Sequence, residues 1–250
     1  VRRATTQASK TGLKPGVRAR KRDAYLAAVD GLLYGDDPSQ GYVDGNSFAH
    51  PTLKIAFEAP QGYYLSNSSD AVTATGPGEV QIQFSGGRIP NGASLGDYVE
   101  GVFRGVLGQA AGRAQYSQLR ASTINGWRAA DATARVPTRG GTVDATVVAY
   151  DAGSGNAYHF LFIKPAGYAD NGLTERVARS FRRLSDAEAA RLRPRAIEVV
   201  TVKPGETLQT MASRMAYSDA PLERFLVLND RDRNQPLRPG ERVKLVRYAR

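Results

Sequence analysis

The sequence predicts an α+β fold, an antiparallel sheet with two packed helices, followed by a small βααβ domain. Three observations lead there. Short runs with apolar residues at every second position recur between residues 53 and 163. Two helical stripes accompany them, at 94–106 and 170–181. The last fifty or so residues form a self-contained strand, helix, helix, strand pattern between turn signals.

In chain order, residues 23–34 place Tyr25, Leu26, Val29, Leu32 and Leu33 near helical spacing. Asp23 suits the cap, and Gly35-Asp36-Asp37-Pro38 stops the helix. An irregular stretch is expected from there to His50-Pro51. Strands are then read at 53–57, 63–65, 71–75 and 80–84. Ser94 and Asp97 have capping-box spacing ahead of Leu95, Val99, Val102, Phe103 and Val106. Gly101, Gly105 and Gly108 weaken that helix and are expected to allow close approach to a sheet. Asn125-Gly126 marks a hairpin between 117–124 and 127–136. Residues 142–150 and 156–163 flank a glycine-rich turn, and the second is apolar on both faces, as a central strand would be. The helix at 170–181 buries Leu173, Val177 and Phe181. Ser185 to Glu188 is a second capping box, opening a charged connector that Pro194 ends. In the final unit, Thr207 caps a helix with Leu208, Met211, Ala212 and Met215 inside. Asp219 caps the next, which has Pro221 in its first turn. The domain reading is a basic disordered tail (1–22), a helix and connector (23–47), the α+β domain (48–184), a linker (185–197) and the βααβ domain (198–247).

Composition narrows the function. The 250 residues are 41% hydrophobic and 23% charged, which is globular. No apolar run approaches the roughly 18–20 residues that span a bilayer, and no N-terminal stretch resembles a signal peptide. The chain has no cysteine, which excludes disulfides and thiol chemistry, and only two histidines, too few for most zinc-hydrolase sites. Of the net charge of +10, residues 1–22 carry +8, with eight basic and no acidic side chains. The remaining 228 residues carry 26 basic and 24 acidic groups, which argues against a nucleic-acid-binding face.

Catalytic motifs are missing: no His-Glu-x-x-His, no Gly-x-Ser-x-Gly, no phosphate loop. His159, between Tyr158 and Phe160, reads as a core histidine rather than a base. His50, before Pro51, lacks a second histidine nearby. Asp36-Asp37 is either a carboxylate pair or ordinary turn chemistry. Trp127 is a packing residue or an exposed platform. A hydrolase built from Asp36, Asp37, His50 and Trp127 is the weakest of the functional readings.

The final unit resembles a LysM module. Val200-Thr-Val-Lys-Pro-Gly-Glu-Thr-Leu208 looks like its opening strand and turn, Phe225-Leu-Val-Leu-Asn229 like the end of its second helix, and Leu237-Arg-Pro-Gly-Glu-Arg-Val-Lys-Leu245 like its last turn and strand. The resemblance implies binding of N-acetylglucosamine glycans, peptidoglycan or chitin-like. The groove would lie between Lys203, Pro204, Gly205, Glu206 and Thr207 on one side and Asn229, Asp230, Arg231 and Asp232 on the other. The alternative for this unit is an interdomain brace.

Residues 25–38 (Tyr25-Leu-Ala-Ala-Val-Asp-Gly-Leu-Leu-Tyr-Gly-Asp-Asp-Pro38), Gly41-Tyr-Val, Phe48-Ala-His-Pro51 and Phe57-Glu-Ala-Pro-Gln-Gly62 resemble the region that follows the catalytic domain in bacterial BepA-like zinc metallopeptidases. In one subgroup, a PsbP-like α+β domain and a LysM-like module come next. The resemblance implies a non-catalytic accessory region in the periplasm or cell envelope of a Gram-negative bacterium. A catalytic peptidase domain in cis would hold the zinc, and this chain would hold no cofactor. A start at Val1 rather than Met is expected of a fragment. The rival reading is a free-standing envelope glycan-binding or interaction protein with no protease domain.

Overall fold

The computed structural model describes residues 22–217 and 219–249, which divide into two compact units: residues 36–193, and residues 22–35 together with 194–249. The tail expected over 1–22 lies outside the described residues except for Arg22, which opens α1 (Arg22–Val29) of the second unit.

The first unit, the sheet unit, contains β1 (Tyr42–Asp44), β2 (Ser47–His50), β3 (Ile55–Glu58), β4 (Tyr64–Asn67), β5 (Val72–Thr75) and β6 (Gln81–Arg88). Then come α2 (Leu95–Leu107), β7 (Gln115–Tyr116), β8 (Arg120–Ile124), β9 (Trp127–Thr138), β10 (Gly141–Gly153) and β11 (Asn156–Pro165). It ends with α3 (Leu173–Ser180), β12 (Arg182–Arg183) and α4 (Asp186–Arg191). All pairings are antiparallel. The main sheet runs β4-β5-β6-β11-β10-β9, with β7 and β8 sharing the outer edge of β9. As its two apolar faces predict, β11 is central, between β6 and β10.

One face of the main sheet is lined by alanine. Ala130, Ala132, Ala134, Ala145, Ala149 and Ala157 pack under Tyr98, Val99 and Phe103 of α2. Small side chains on the sheet bring the helix close, because a packed layer leaves no voids. The helix glycines do not: Gly101, Gly105 and Gly108 are exposed with open space where a Cβ would stand, and Val106 is exposed as well. The glycine that matters is Gly87 of β6, where a Cβ would meet the Tyr98 hydroxyl at 3.0 Å.

The opposite face is aromatic. Phe84, Tyr150, Phe160 and Phe162 pack against α3 and against a second sheet, β1-β2-β3-β12, which supplies Phe48, Ile55 and Phe57. This second sheet replaces the irregular stretch expected before His50 and takes in Arg182 and Arg183, which follow α3. Phe181, fully enclosed at the end of α3, has ring centroids 4.7–6.0 Å from those of Phe84, Trp127, Tyr150, Tyr158 and Phe160. Both predicted capping boxes form, Ser94 with Asp97 and Ser185 with Glu188.

The second unit, the ribbon unit, contains β13 (Arg195–Thr201), α5 (Leu208–Ala212), α6 (Pro221–Leu228) and β14 (Arg242–Tyr248). β13 and β14 pair antiparallel from Arg195↔Tyr248 to Thr201↔Arg242. Met211, Phe225, Leu245 and Val246 are the centre of its core. Asp219 does not cap α6. The cap is Ala220 in the left-handed region, and the Asp219 carboxylate takes the Arg224 guanidinium instead. The helix expected over 23–34 ends at Val29 because the next residues extend along β13. Gly31 N donates to Ile197 O (2.8 Å), Ile197 N to Leu32 O (2.9 Å) and Tyr34 N to Arg195 O (2.8 Å). The connector expected over 23–47 is therefore divided, its first part belonging to the ribbon unit and its second to the sheet unit. The expected 185–197 linker is likewise α4 and the start of β13.

Two substitutions test this packing by urea denaturation. Phe181→Ala is expected to cost about 3–5 kcal/mol through the cavity it leaves. Gly101→Ala, in an open helical position, is expected to stabilise by about 0.5–1 kcal/mol.

Candidate functional site

The residues with catalytic potential are held by the fold. Asp36 Oδ2 accepts Val43 N (2.7 Å), and Asp37 Oδ1 accepts Ser39 N (2.8 Å) and Ser39 Oγ (2.6 Å). They are turn carboxylates, and the serine contacts hold Asp37 below the usual carboxylate range. His50 is buried, and Leu53 N donates to its Nδ1 (3.2 Å). The proton therefore sits on Nε2, which donates to Ser39 O (3.1 Å). With both ring nitrogens occupied and burial lowering its pKa, His50 is a neutral strut. His159 Nδ1 lies 2.9 Å from the Tyr98 hydroxyl, and burial brings its pKa down to about 4. Trp127 is core, not a platform: it is buried, with the Arg183 guanidinium 3.7 Å from its ring centroid. Among the described residues no group of three histidine or carboxylate side chains is placed to hold a metal ion, so the residues present do not fit zinc.

In the ribbon unit, the two loops expected to bind glycan meet through a third segment. Lys203-Pro-Gly-Glu206 is a tight turn with Glu206 N donating to Lys203 O (3.2 Å) and Gly205 at φ 84°. Arg238-Pro-Gly-Glu241 repeats it, with Glu241 N donating to Arg238 O (3.1 Å) and Gly240 at φ 86°. Each glutamate closes its own turn: Glu206 Oε2 accepts Lys203 N (2.7 Å) and Glu241 Oε1 accepts Arg238 N (3.0 Å). Each also takes an arginine on its other oxygen, Arg214 on Glu206 (3.0 Å) and Arg231 on Glu241 (2.5 Å). The turns lie side by side, since Val202 N donates to Glu241 O (2.8 Å) and Gly240 N to Val202 O (2.9 Å). Sequence reasoning missed this pair, although the repeated basic-Pro-Gly-Glu tetrapeptide was its signal.

The expected groove residues fall into two sets. Glu206 and Arg231 are turn clamps, and Thr207 caps α5. The Asn229 amide closes the outer edge of β14: its Oδ1 accepts Lys244 N (2.8 Å) and its Nδ2 donates to Lys244 O (2.9 Å) and Phe225 O (3.0 Å). Asp232 Oδ1 accepts Asn234 N (3.0 Å). Lys203, Pro204, Gly205, Asp230 and Asp232 are exposed, as is Thr207.

A cleft of about 450 Å³ opens in the sheet unit. Its floor is Phe48, Ile55, Val72, Phe84 and Tyr158, and its rim is Ser39, Gln40, Asn67 to Asp70, and Ser85. His50 also lines it, the one lining residue that the sequence reading had singled out for chemistry. The polar run Ser66-Asn-Ser-Ser-Asp70 between two strands was its only sequence signal.

No family model and no curated protein matches the chain. Among solved structures, it is similar to cyanobacterial PsbP (CyanoP) from Synechocystis, with a TM-score of 0.44 and 16% identity over 60% of this chain and 98% of that one. It is also similar to LpqN, described as involved in cell envelope biogenesis of Mycobacterium tuberculosis, with a TM-score of 0.39 and 12% identity over 68% of this chain and 100% of that one. A protein from Bacteroides thetaiotaomicron aligns with a TM-score of 0.40 and 14% identity over 66% of this chain and 56% of that one. No helix among the described residues is long and apolar enough to cross a membrane.

Asn229→Ala leaves Lys244 N and O without their partners and is expected to destabilise the ribbon unit by about 1–3 kcal/mol, read as a lower urea midpoint of the ribbon-unit amides by NMR. A second expectation concerns pH. The His159 pKa is about 4 in the folded chain against an ordinary 6.5, so between these values the unfolded chain binds the extra proton. The stability from neutral His159 is complete above 6.5 and is lost as pH falls toward 4. The urea midpoint should therefore drop from pH 7 to pH 5, and drop less in His159→Gln.

Proposed function

We propose that the chain is a non-catalytic accessory region of a cell-envelope zinc metallopeptidase, and that its ribbon unit is a LysM-like module holding peptidoglycan or a related N-acetylglucosamine glycan. The sequence resemblance supplies the family, the envelope location and the zinc-bearing catalytic domain in cis. The geometric support is the pair of clamped Pro-Gly turns. Their internal hydrogen bonds leave a pre-ordered ledge with Lys203, Pro204 and Gly205 exposed. A ledge that is already ordered loses little conformational freedom on binding a sugar. Asp230 and Asp232 present hydrogen-bond acceptors to glycan hydroxyls and amides. Asn229, Glu206, Arg231 and Thr207 act in this reading by shaping the loops. Non-catalytic behaviour is supported by the structural use of His50, His159, Asp36 and Asp37.

A brace is the second reading, and one observation favours it. Residues 31–34, which precede the sheet unit in the chain, hydrogen-bond along β13 of the ribbon unit, which follows it.

The test is retention of the whole chain on insoluble peptidoglycan at about 0.3 M salt, where attraction by the basic residues 1–22 is screened. N-acetylglucosamine oligomers should bind at about 0.1–1 mM, as expected of a small shallow site. Lys203→Ala with Asp230→Asn, which keeps a side chain tolerated at the φ of 52° there, should weaken retention and leave the urea midpoint unchanged. Equal retention of this variant, or no chemical-shift change with millimolar oligomers, leaves the brace. Chelator-sensitive cleavage of casein by the chain alone would overturn the accessory role.

A further inference from the structure

Several polar side chains on the rim of the sheet unit's cleft already donate their hydrogens within the fold. Ser39 Oγ donates to Asp37 (2.6 Å), Ser68 Oγ to Ala71 O (2.8 Å) and Ser85 Oγ to Asp70 O (2.9 Å). Asn67 Nδ2 donates to Gln40 O (3.1 Å) and Gly41 O (3.2 Å), and the His50 proton goes to Ser39 O. A hydroxyl that donates inward still has lone pairs. Asn67 Oδ1 is buried and has no hydrogen-bond partner among the described residues. Among the described lining residues, Ser69, the Gln40 amide and the Tyr158 hydroxyl keep side-chain donors. Among the described residues lining the cleft, Asp70 is the one charged side chain, and none is lysine or arginine. Beneath this rim lies an apolar floor, where the Phe84 and Tyr158 rings stack at 5.8 Å.

A rim rich in acceptors with one carboxylate disfavours phosphates and carboxylates and calls for a ligand that brings its own N–H donors. An apolar floor in a cleft of this size calls for an apolar body of a few rings or fewer. We propose that the cleft binds a small organic amine, with its protonated nitrogen at Asp70 and the serine rim and its apolar body on the Phe84–Tyr158 floor. This site is independent of the glycan reading, which concerns the other unit.

The experiment is an NMR titration of the whole chain with three probes of one shape: 2-phenylethylamine (cation), 2-phenylethanol (neutral) and 3-phenylpropionate (anion). The amine should bind at about 0.1–1 mM and shift the amides of Ser68, Asp70 and Gly86. The alcohol should bind at least about fivefold more weakly and the anion not at all. Asp70→Asn should lower amine affinity about tenfold while the remaining spectrum stays in place. The proposal is overturned if the alcohol or the anion binds as well as the amine or if Asp70→Asn has no effect. It is also overturned if the shifts fall outside the cleft or if about 10 mM amine shifts nothing. Should Asp70→Asn disturb the fold, the probe order on the unsubstituted chain decides alone.

Discussion

The sheet unit depends on where Phe181 sits. The ring is enclosed by Phe84, Trp127, Tyr150, Tyr158 and Phe160, so it anchors the end of α3 to four strands of the main sheet. The backbone on either side is tied as well. Tyr150 Oη donates to Ala178 O (2.8 Å), and Asn125 Nδ2 donates to Arg179 O (2.6 Å) and Phe181 O (2.8 Å). The next two residues are β12, which pairs with β3 and completes the small sheet. One aromatic anchor thus joins the helix, the large sheet and the small sheet. The cleft follows from it, because Phe84 and Tyr158 are both ring neighbours of Phe181 and floor of the cleft. A buried aromatic cluster is stiff, so the floor has a fixed shape before any ligand arrives.

Features encoded within a few residues were legible in the sequence. Both capping boxes, the Asn125-Gly126 hairpin with φ values of 47° and 77°, and the interior of α5 all depend on neighbours in the chain. The central place of β11 was legible because both of its faces are apolar. Features whose partners are distant were not. β12 has only two residues, both arginine, and nothing in Arg182-Arg183 announces a strand without Ile55 and Ala56 opposite. Residues 31–34 look helical by spacing, yet the carbonyls and amides of β13, over 160 positions away, draw them into extended backbone. The glycine rule failed for a related reason. Close approach between α2 and the sheet needs small side chains at the contact, and these are the sheet's alanines. The helix glycines face solvent.

The candidate sites show the same division more sharply. Lys203 to Thr207 and Asn229 to Asp232 were legible as loops, but their separate duties were not. Asn229 has the amide a sugar site would want, and that amide serves β14. The cleft was almost invisible, because its rim comes from segments around Ser39, Ser68 and Ser85 that only the fold brings together. A run of serines in sequence reads as a solvated turn. In the structure the hydroxyls of Ser39, Ser68 and Ser85 are fastened to the Asp37 carboxylate, Ala71 O and Asp70 O.

The two sites use their polar groups in opposite ways. In the ribbon unit the clamps and the exposed groups are different residues. Glu206, Glu241, Arg214 and Arg231 hold the turns, while Lys203 and Asp230 face solvent. The exposed set contributes little to the fold, so those side chains can change with little loss of stability. In the cleft the same side chain does both jobs. Ser39, Ser68 and Ser85 donate inward to hold their loops and offer lone pairs outward. Replacing one by alanine removes a loop fastening and a ligand acceptor together. Replacing it by a larger donor breaks the inward bond before any donor reaches the cleft. The acceptor character of the rim is therefore a consequence of how the loops are fastened, and it persists as long as they fold this way.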